Sequence, residues 1–192
     1  MTDFHQVFSK NLAEHQKTLD GLPVLEAKIG TVGELLVKTA RERRHLLLCG
    51  NGGSAADAQH WSGEWRCRFE HDRPALKATA LTVDTSTLTA IGNDYGYDEI
   101  FARQVRALAE PGDVLVCIST SGNSPNVIRA VAAAKEMGVT TIGLLGRDGG
   151  KLASLVDHTI VVPAERTARI QEMHELIMHL LCEYVDERVI AN

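Results

Sequence analysis

His45-Leu-Leu-Leu-Cys-Gly50-Asn-Gly-Gly-Ser54 decides the fold: an apolar run closes on a glycine-rich loop, and a helix begins near Ser54. Four more short apolar runs, rich in β-branched residues, follow at 76–83, 114–118, 139–145 and 158–162, with helical segments between them. Runs so evenly apolar are expected when helices cover both faces of a parallel sheet. Their alternation with helices implies right-handed βαβ units, and hence a doubly wound α/β fold on a five-stranded parallel sheet. Upstream, 3–44 reads as two helices parted near Gly21-Leu22-Pro23. Downstream, 166–190 reads as one long helix whose apolar stripe is Ile170, Met173, Ile177, Leu180, Leu181 and Tyr184. No repeat or Pro/Gly-rich linker divides the chain, so 1–192 is expected to be one domain, with a helical segment 1–44 and an α/β core plus terminal helix 45–192.

Composition narrows the function. A chain of 192 residues can bury a sizeable core, and its apolar and charged fractions are those of a globular protein. A net charge of −5 argues against a nucleic-acid surface, which needs a basic footprint. Arg41, Arg43 and Arg44 read as a solvated helix end. The four cysteines form no C-x-x-C pair; Cys49 and Cys117 lie inside apolar runs, and all four read as reduced. The N-terminal MTDFHQVFSKNLAEHQ has no signal-peptide core, and no apolar stretch approaches a membrane span. The expectation is a cytoplasmic protein with neither membrane nor nucleic acid as partner.

Two loops stand where ligands bind in open α/β sheets, at the carboxyl ends of strands. In Gly50-Asn51-Gly52-Gly53-Ser54, glycines let backbone N–H groups approach a ligand, and the following helix adds a partial positive charge. In Ser119-Thr120-Ser121-Gly122-Asn123-Ser124-Pro125, Ser124 and Pro125 read as N-cap and first helical residue. Four hydroxyls and several free N–H groups there make a cradle for a phosphate dianion that needs no lysine. A serine-rich turn with ordinary capping is the plainer reading; the density of hydroxyls at a strand's carboxyl end favours the cradle. Gly50-x-Gly52-x-x-Ala55 matches a dinucleotide fingerprint formally, but Glu70 and Asp72 precede the second strand and Asp84 lies too far on. Gly149-Gly150-Lys151 lacks the rest of a P-loop and reads as a turn.

Cys49-Gly-Asn-Gly-Gly-Ser-Ala-Ala-Asp-Ala-Gln-His60, Ile118-Ser-Thr-Ser-Gly-Asn-Ser124 and Arg169-Ile-Gln-Glu-Met-His174 together resemble the SIS-domain phosphoheptose isomerases, over essentially the whole chain. The resemblance implies isomerisation of sedoheptulose 7-phosphate to D-glycero-D-manno-heptose 7-phosphate, toward heptoses of lipopolysaccharide or other surface glycans. It implies a homotetramer with active sites at subunit interfaces. By position it gives Glu64 as catalytic base and His179 as its acid–base partner. It gives His60, Glu64, Gln171 and His179 as zinc ligands. Asn51, Gly52, Gly53, Glu64, Asn93, Asp94, Ser119, Thr120, Ser121, Ser124 and Gln171 fall at substrate-contacting positions.

The chemistry is consistent with those types. Ketose–aldose exchange needs a base to take the C1 proton and a second group to move protons between two oxygens. A metal or fixed donors would stabilise the enediolate. His60 and Glu64 are i and i+4, on one helix face. Gln171 and His179 fall within about 80° of each other, opposite the apolar stripe. That polar face suits a solvated helix or an interfacial active site; the resemblance favours the latter. A His/Glu/Gln/His set is an uncommon zinc site. His174, close to the stripe, reads as packed; His45 and His158 begin strands, and His5, His15 and His71 read as surface residues. Trp61 and Trp65 stand beside Glu64 where Phe- or Ala-type residues are expected; they read as core or interface anchors, with Trp65 able to alter pocket closure. Some relatives of this type are non-catalytic tetramers that bind the bacterial replication initiator, and others are sugar-phosphate sensors. The joint presence of Glu64 and His179 favours the enzyme.

Overall fold

The five apolar runs become the parallel strands β1 (Leu46–Gly50), β2 (Ala78–Ala80), β3 (Val114–Ser119), β4 (Thr140–Gly146) and β5 (His158–Val162). They form one sheet, of order β2-β1-β3-β4-β5, in the computed structural model, which describes residues 3–190. β1 and β3 are buried at every position because both faces of the sheet are covered. Their alternate side chains feed two cores. Leu46, Leu48, Val114, Val116 and Ile118 join one, and Leu47, Cys49, Leu115 and Cys117 the other. The first core is closed by α2 (Glu26–Arg41), α3 (Gly53–Arg66) and α8 (Thr167–Ile190), the second by α5 (Ala102–Leu108), α6 (Pro125–Glu136) and the short α7 (Leu152–Leu155).

The helical boundaries follow local chemistry. Asp3 caps α1 (Phe4–Asp20) by accepting the Gln6 N–H at 2.8 Å. Gly21 and Pro23 turn the chain through a 3-10 segment, Leu22–Leu25, before α2. β2 is shorter than its apolar run. The Leu76 N–H is drawn to the Trp65 carbonyl at the end of α3, and beyond Ala80 the chain turns toward Asp84, which caps α4 (Thr85–Asp94). On α8 the buried arc is wider than the expected stripe: it takes in His174, Met178, Cys182 and Val185 because the helix packs against both sheet and α3. Leu180 is displaced from that arc and is 45% exposed. With Leu22, Ile29, Leu176 and Tyr184 it lines an open apolar groove of about 710 Å³.

Two buried polar side chains help fix α8 in place. His174 is fully buried, and its Nε2–H donates to the Leu145 carbonyl at 3.0 Å. Burial pushes that imidazole down to about 4, so it stays neutral. Arg73 is the other anchor. Its guanidinium donates to the Asp186 carboxylate on α8, to the Glu64 carbonyl at 2.9 Å and to the Trp65 carbonyl at 3.0 Å. The last two are carbonyls of the final turn of α3, which have no partner within their own helix. Trp61 and Trp65 lie in the core beneath, each 1% exposed. Trp65 therefore packs the fold and does not line a pocket.

The Arg73 and Asp186 side chains are each 1% exposed. Asp186→Ala, which strands a buried guanidinium, is expected to lower unfolding free energy by about 3–5 kcal/mol in urea titrations. A loss no larger than that of a surface substitution would contradict the role given to this pair.

Candidate active site

The strand order reverses between β1 and β3, so their carboxyl ends flank the switch point. Both sequence-predicted loops meet there. Gly50 allows the first to turn tightly: a Cβ at this position would stand 2.6 Å from the Ser54 carbonyl oxygen. Asn51 crosses to the start of α6, where its amide and that of Asn126 exchange two hydrogen bonds of 2.9 Å each. Tyr97 Oη also donates to Asn51 Oδ1, at 3.0 Å. The Asn51 side chain thus ties the two loops together.

In the second loop, Ser119 Oγ accepts the Gly122 N–H at 3.1 Å and lies 3.4 Å from Ser124 Oγ. Ser124 precedes α6 as expected, but its hydroxyl makes no capping bond and turns into the loop. Thr120, Ser121 and Ser124 are half-buried. The turn at Gly149-Gly150-Lys151 supports this loop from behind. Leu152 N–H donates to the Gly122 carbonyl at 3.0 Å, and Lys151 N–H to Asn123 Oδ1 at 3.2 Å. A Cβ on Gly122, whose φ is +63°, would fall 1.9 Å from the Gly149 carbonyl oxygen.

α3 and α8 both start at this edge and run side by side. Near their start the Gln171 amide lies over Gly53, where a Cβ would approach Nε2 to 2.3 Å. Two turns further on, ionisable groups gather. His60 Nε2 is 3.0 Å from Glu64 Oε1, and His60 Nδ1 is 2.5 Å from Glu175 Oε1. His179 Nε2 is 3.7 Å from the same Glu175 oxygen, and its ring meets that of His60 edge-on at 5.2 Å. Phe69 packs against His179 at 5.5 Å. Asp57 lies close by, with its Oδ2 buried and no donor among the described residues. Burial, then the Glu175 charge, pushes its carboxyl up to about 6, while His60 pulls the other way.

The structure therefore brings His60, Glu64 and His179 to one place and Gly52, Gly53, Gln171 and the serine loop to another, along one seam. Asn93 and Asp94 stand exposed at the end of α4, joined by a 2.8 Å hydrogen bond, shortly before Tyr97. Glu175 was missed from the sequence. Its signal was present: 171, 175 and 179 are four apart, so Glu175 lies between Gln171 and His179 on the same face. One ligand atom each of His60, Glu175 and His179 lies within 4.8 Å of the others. Imidazole nitrogen and carboxylate oxygen are the donor types zinc takes, so this corner fits a divalent cation.

The family model of the SIS domain matches residues 11–146. Phosphoheptose isomerase 1 of Campylobacter jejuni is 52% identical over 178 residues, 93% of this chain and 96% of that protein. A solved phosphoheptose isomerase from Neisseria gonorrhoeae superposes with a TM-score of 0.91 at 46% identity, over 96% of this chain and all of the other. One from Francisella tularensis gives 0.92 at 37% identity, over 97% of this chain and 100% of the other.

A carboxyl raised in the folded state binds more protons there than in the unfolded chain. Asp57 thus lowers stability as pH rises from 3.8 through about 6, and its cost is fully present above that. Asp57→Asn is expected to raise the melting temperature by a few degrees near neutral pH, with the gain shrinking toward acid. An equal shift at both ends would contradict the titration.

Proposed function

Because the chain belongs to the SIS-domain phosphoheptose isomerases, we propose that it interconverts sedoheptulose 7-phosphate and D-glycero-D-manno-heptose 7-phosphate through an enediolate. It is a sugar-phosphate isomerase. The observation that carries the assignment is the seam itself, with a hydroxyl-lined helix start at one end and a Glu/His cluster further along.

Ser119, Thr120, Ser121 and Ser124 hold the phosphate with hydroxyls and the N–H groups that open α6. Asn51, Gly52, Gly53, Asn93, Asp94 and Gln171 orient the sugar, Asn51 mainly by fixing the loop. Glu64 removes a proton from C1; the C1–H electrons form the C1–C2 double bond, and negative charge collects on O2. His179 exchanges protons with the two oxygens. Return of the proton to C2 and loss of the O1 proton leave the aldose. Arg73, by gripping the Glu64 carbonyl, fixes where that base stands.

Zinc belongs to the same reading, held by His60 and His179, with Glu64 and Gln171 as the companions given by the family resemblance. When bound, such an ion polarises the substrate carbonyl and steadies the enediolate oxygens. Glu175 stands beside this set, close to both imidazoles.

The reading extends to a cytoplasmic homotetramer of a one-domain chain, 1–192, with sites at subunit interfaces and a product destined for lipopolysaccharide or another surface glycan. Among the described residues no helix is long and apolar enough to cross a membrane. Phe4, Phe8 and Leu12 form an exposed apolar stripe on α1, and the groove at Leu180 is also open; such patches call for a covering surface. Glu64 lies about 16 Å along α3 from Gly53, at 1.5 Å per residue. That span leaves room for residues of a neighbouring copy to complete the site.

Glu64→Gln is expected to keep substrate binding and lose roughly 10²–10⁴-fold in kcat, followed as aldose formation from sedoheptulose 7-phosphate; unchanged turnover would remove Glu64 as the base. Ser121→Ala with Ser124→Ala is expected to raise KM by roughly tenfold, the worth of two modest hydrogen bonds. An unaltered KM would remove the cradle.

A further inference from the structure

The protons around Asn51 can be traced one by one, starting from the backbone. Val127 is the third residue of α6, so its N–H has no partner within that helix. It donates to the Asn126 side chain at 2.9 Å, and only an amide oxygen can receive it. That bond fixes the orientation of Asn126, which is 1% exposed. Asn126 Nδ2 then donates to Asn51 Oδ1, and Asn51 Nδ2 to Asn126 Oδ1, each at 2.9 Å. Asn51 Oδ1 has no proton to give. The Tyr97 hydroxyl, 3.0 Å away, therefore spends its single proton on that oxygen.

Asn51 Oδ1 is thus used up by two donors inside the protein. Two valences are left over: the second N–H of Asn51 Nδ2, and the lone pairs of Tyr97 Oη. Tyr97 is held firmly enough to use them. Gly96, at φ +89°, turns the chain out of α4 into the 3-10 segment Tyr97–Glu99. Glu99 pairs with Arg129 of α6 at 3.0 Å and with Arg106 of α5 at 3.4 Å, and Ile100 and Phe101 behind it are buried. The Tyr97 side chain nevertheless stands 63% exposed. Packing does not account for a ring that buries so little of itself; its hydroxyl is the part with a defined partner.

We infer that Tyr97 is a specificity-determining residue of the isomerase: its hydroxyl, with the proton committed to Asn51, accepts a hydrogen bond from a hydroxyl of the sugar, while the spare Asn51 N–H donates to a neighbouring sugar oxygen. The inference rests on the sugar-phosphate reading above and deepens it. A carbon chain with adjacent hydroxyls offers both a proton and lone pairs, which suits a donor and an acceptor set side by side. A phosphate dianion is chiefly an acceptor and has little to give the Tyr97 oxygen. Tyr97 therefore reads the polyhydroxylated part of the ligand, and the serine loop reads its anion. A site built to pair with a substrate hydroxyl also rejects analogues that lack it.

Tyr97→Phe removes the oxygen and keeps the ring, and the test is calorimetric titration of the full chain with sedoheptulose 7-phosphate and, separately, inorganic phosphate. Both are run in a Glu64→Gln background, so that turnover adds no heat. Tyr97→Phe is expected to weaken the sugar phosphate by roughly three- to tenfold, the worth of one neutral hydrogen bond, and to leave inorganic phosphate unaffected. The loss is expected to persist when Asn51 is also replaced by alanine, because the contact to the sugar is Tyr97's own. An unaltered sugar-phosphate affinity, or equal losses for the two ligands, would overturn the inference while wild-type turnover keeps the isomerase reading standing. A loss that vanishes in the Asn51→Ala chain would also overturn it, making Tyr97 a support for Asn51 alone. A wild-type chain without turnover whose titrations show the expected pattern would leave the role of Tyr97 intact and remove the isomerase assignment. Failure of the reference chain to bind the sugar phosphate would overturn both.

Discussion

A buried ion pair sets the geometry on which the rest depends. Arg73 and Asp186 are both shut away from water, and neither charge is tolerable there without the other. Their pairing holds the C-terminal turn of α3 against α8, because the same guanidinium also takes the Glu64 and Trp65 carbonyls. Helix ends ordinarily fray, and Glu64 stands in the last turn of its helix. A side chain placed there keeps its position because its own backbone is gripped from outside. Replacing the pair with apolar groups of similar volume could preserve stability, but it would release those carbonyls.

The opposite end of the seam is fixed by a different device. Neutral amides do the work between the two loops: Asn51 and Asn126 form a closed pair, and the serine loop leans on the Gly149-Gly150 turn with no space for a Cβ. No fixed cation lies among these contacts. The arrangement suits a dianion met by hydroxyls and N–H dipoles, since donors held rigid beforehand need little reorganisation when charge arrives. Between the ends, α3 and α8 supply two histidines and three carboxylates, Asp57, Glu64 and Glu175, in a small volume. Burial first, and then the Glu175 charge, raises the Asp57 carboxyl, and the clustered carboxylates make a cation a natural neighbour.

The fold was legible because its signals are local. Strand and helix alternate visibly, and β1 and β3 are apolar throughout because both faces are covered, so composition alone marks central strands. The two loops could be found for the same reason: glycines and hydroxyls at a strand's end advertise a backbone needing room and donors. Where local pattern met tertiary demand, it yielded. β2 is cut short as the amide at Leu76 is taken by α3, and Leu180 leaves the stripe because the arc that α8 buries is turned toward Met178, Cys182 and Val185. Trp61 and Trp65, beside Glu64 in the sequence, point the other way, into the core.

By itself, then, the sequence determined the α/β alternation, the two loops at the switch point and the pairing of His60 with Glu64 on one helix face. Each is written within a few residues, in a periodicity or a turn. Only the tertiary structure decided that Glu175 and not just Glu64 faces His60, that Arg73 and Asp186 hold the seam, and that Asn51 is spent on Asn126. These partners are 113 residues apart for Arg73 and Asp186 and 75 for Asn51 and Asn126. No local rule joins residues so distant; they meet because two helices and two loops are laid against one sheet, where each charge or amide finds its main side-chain partner in the other.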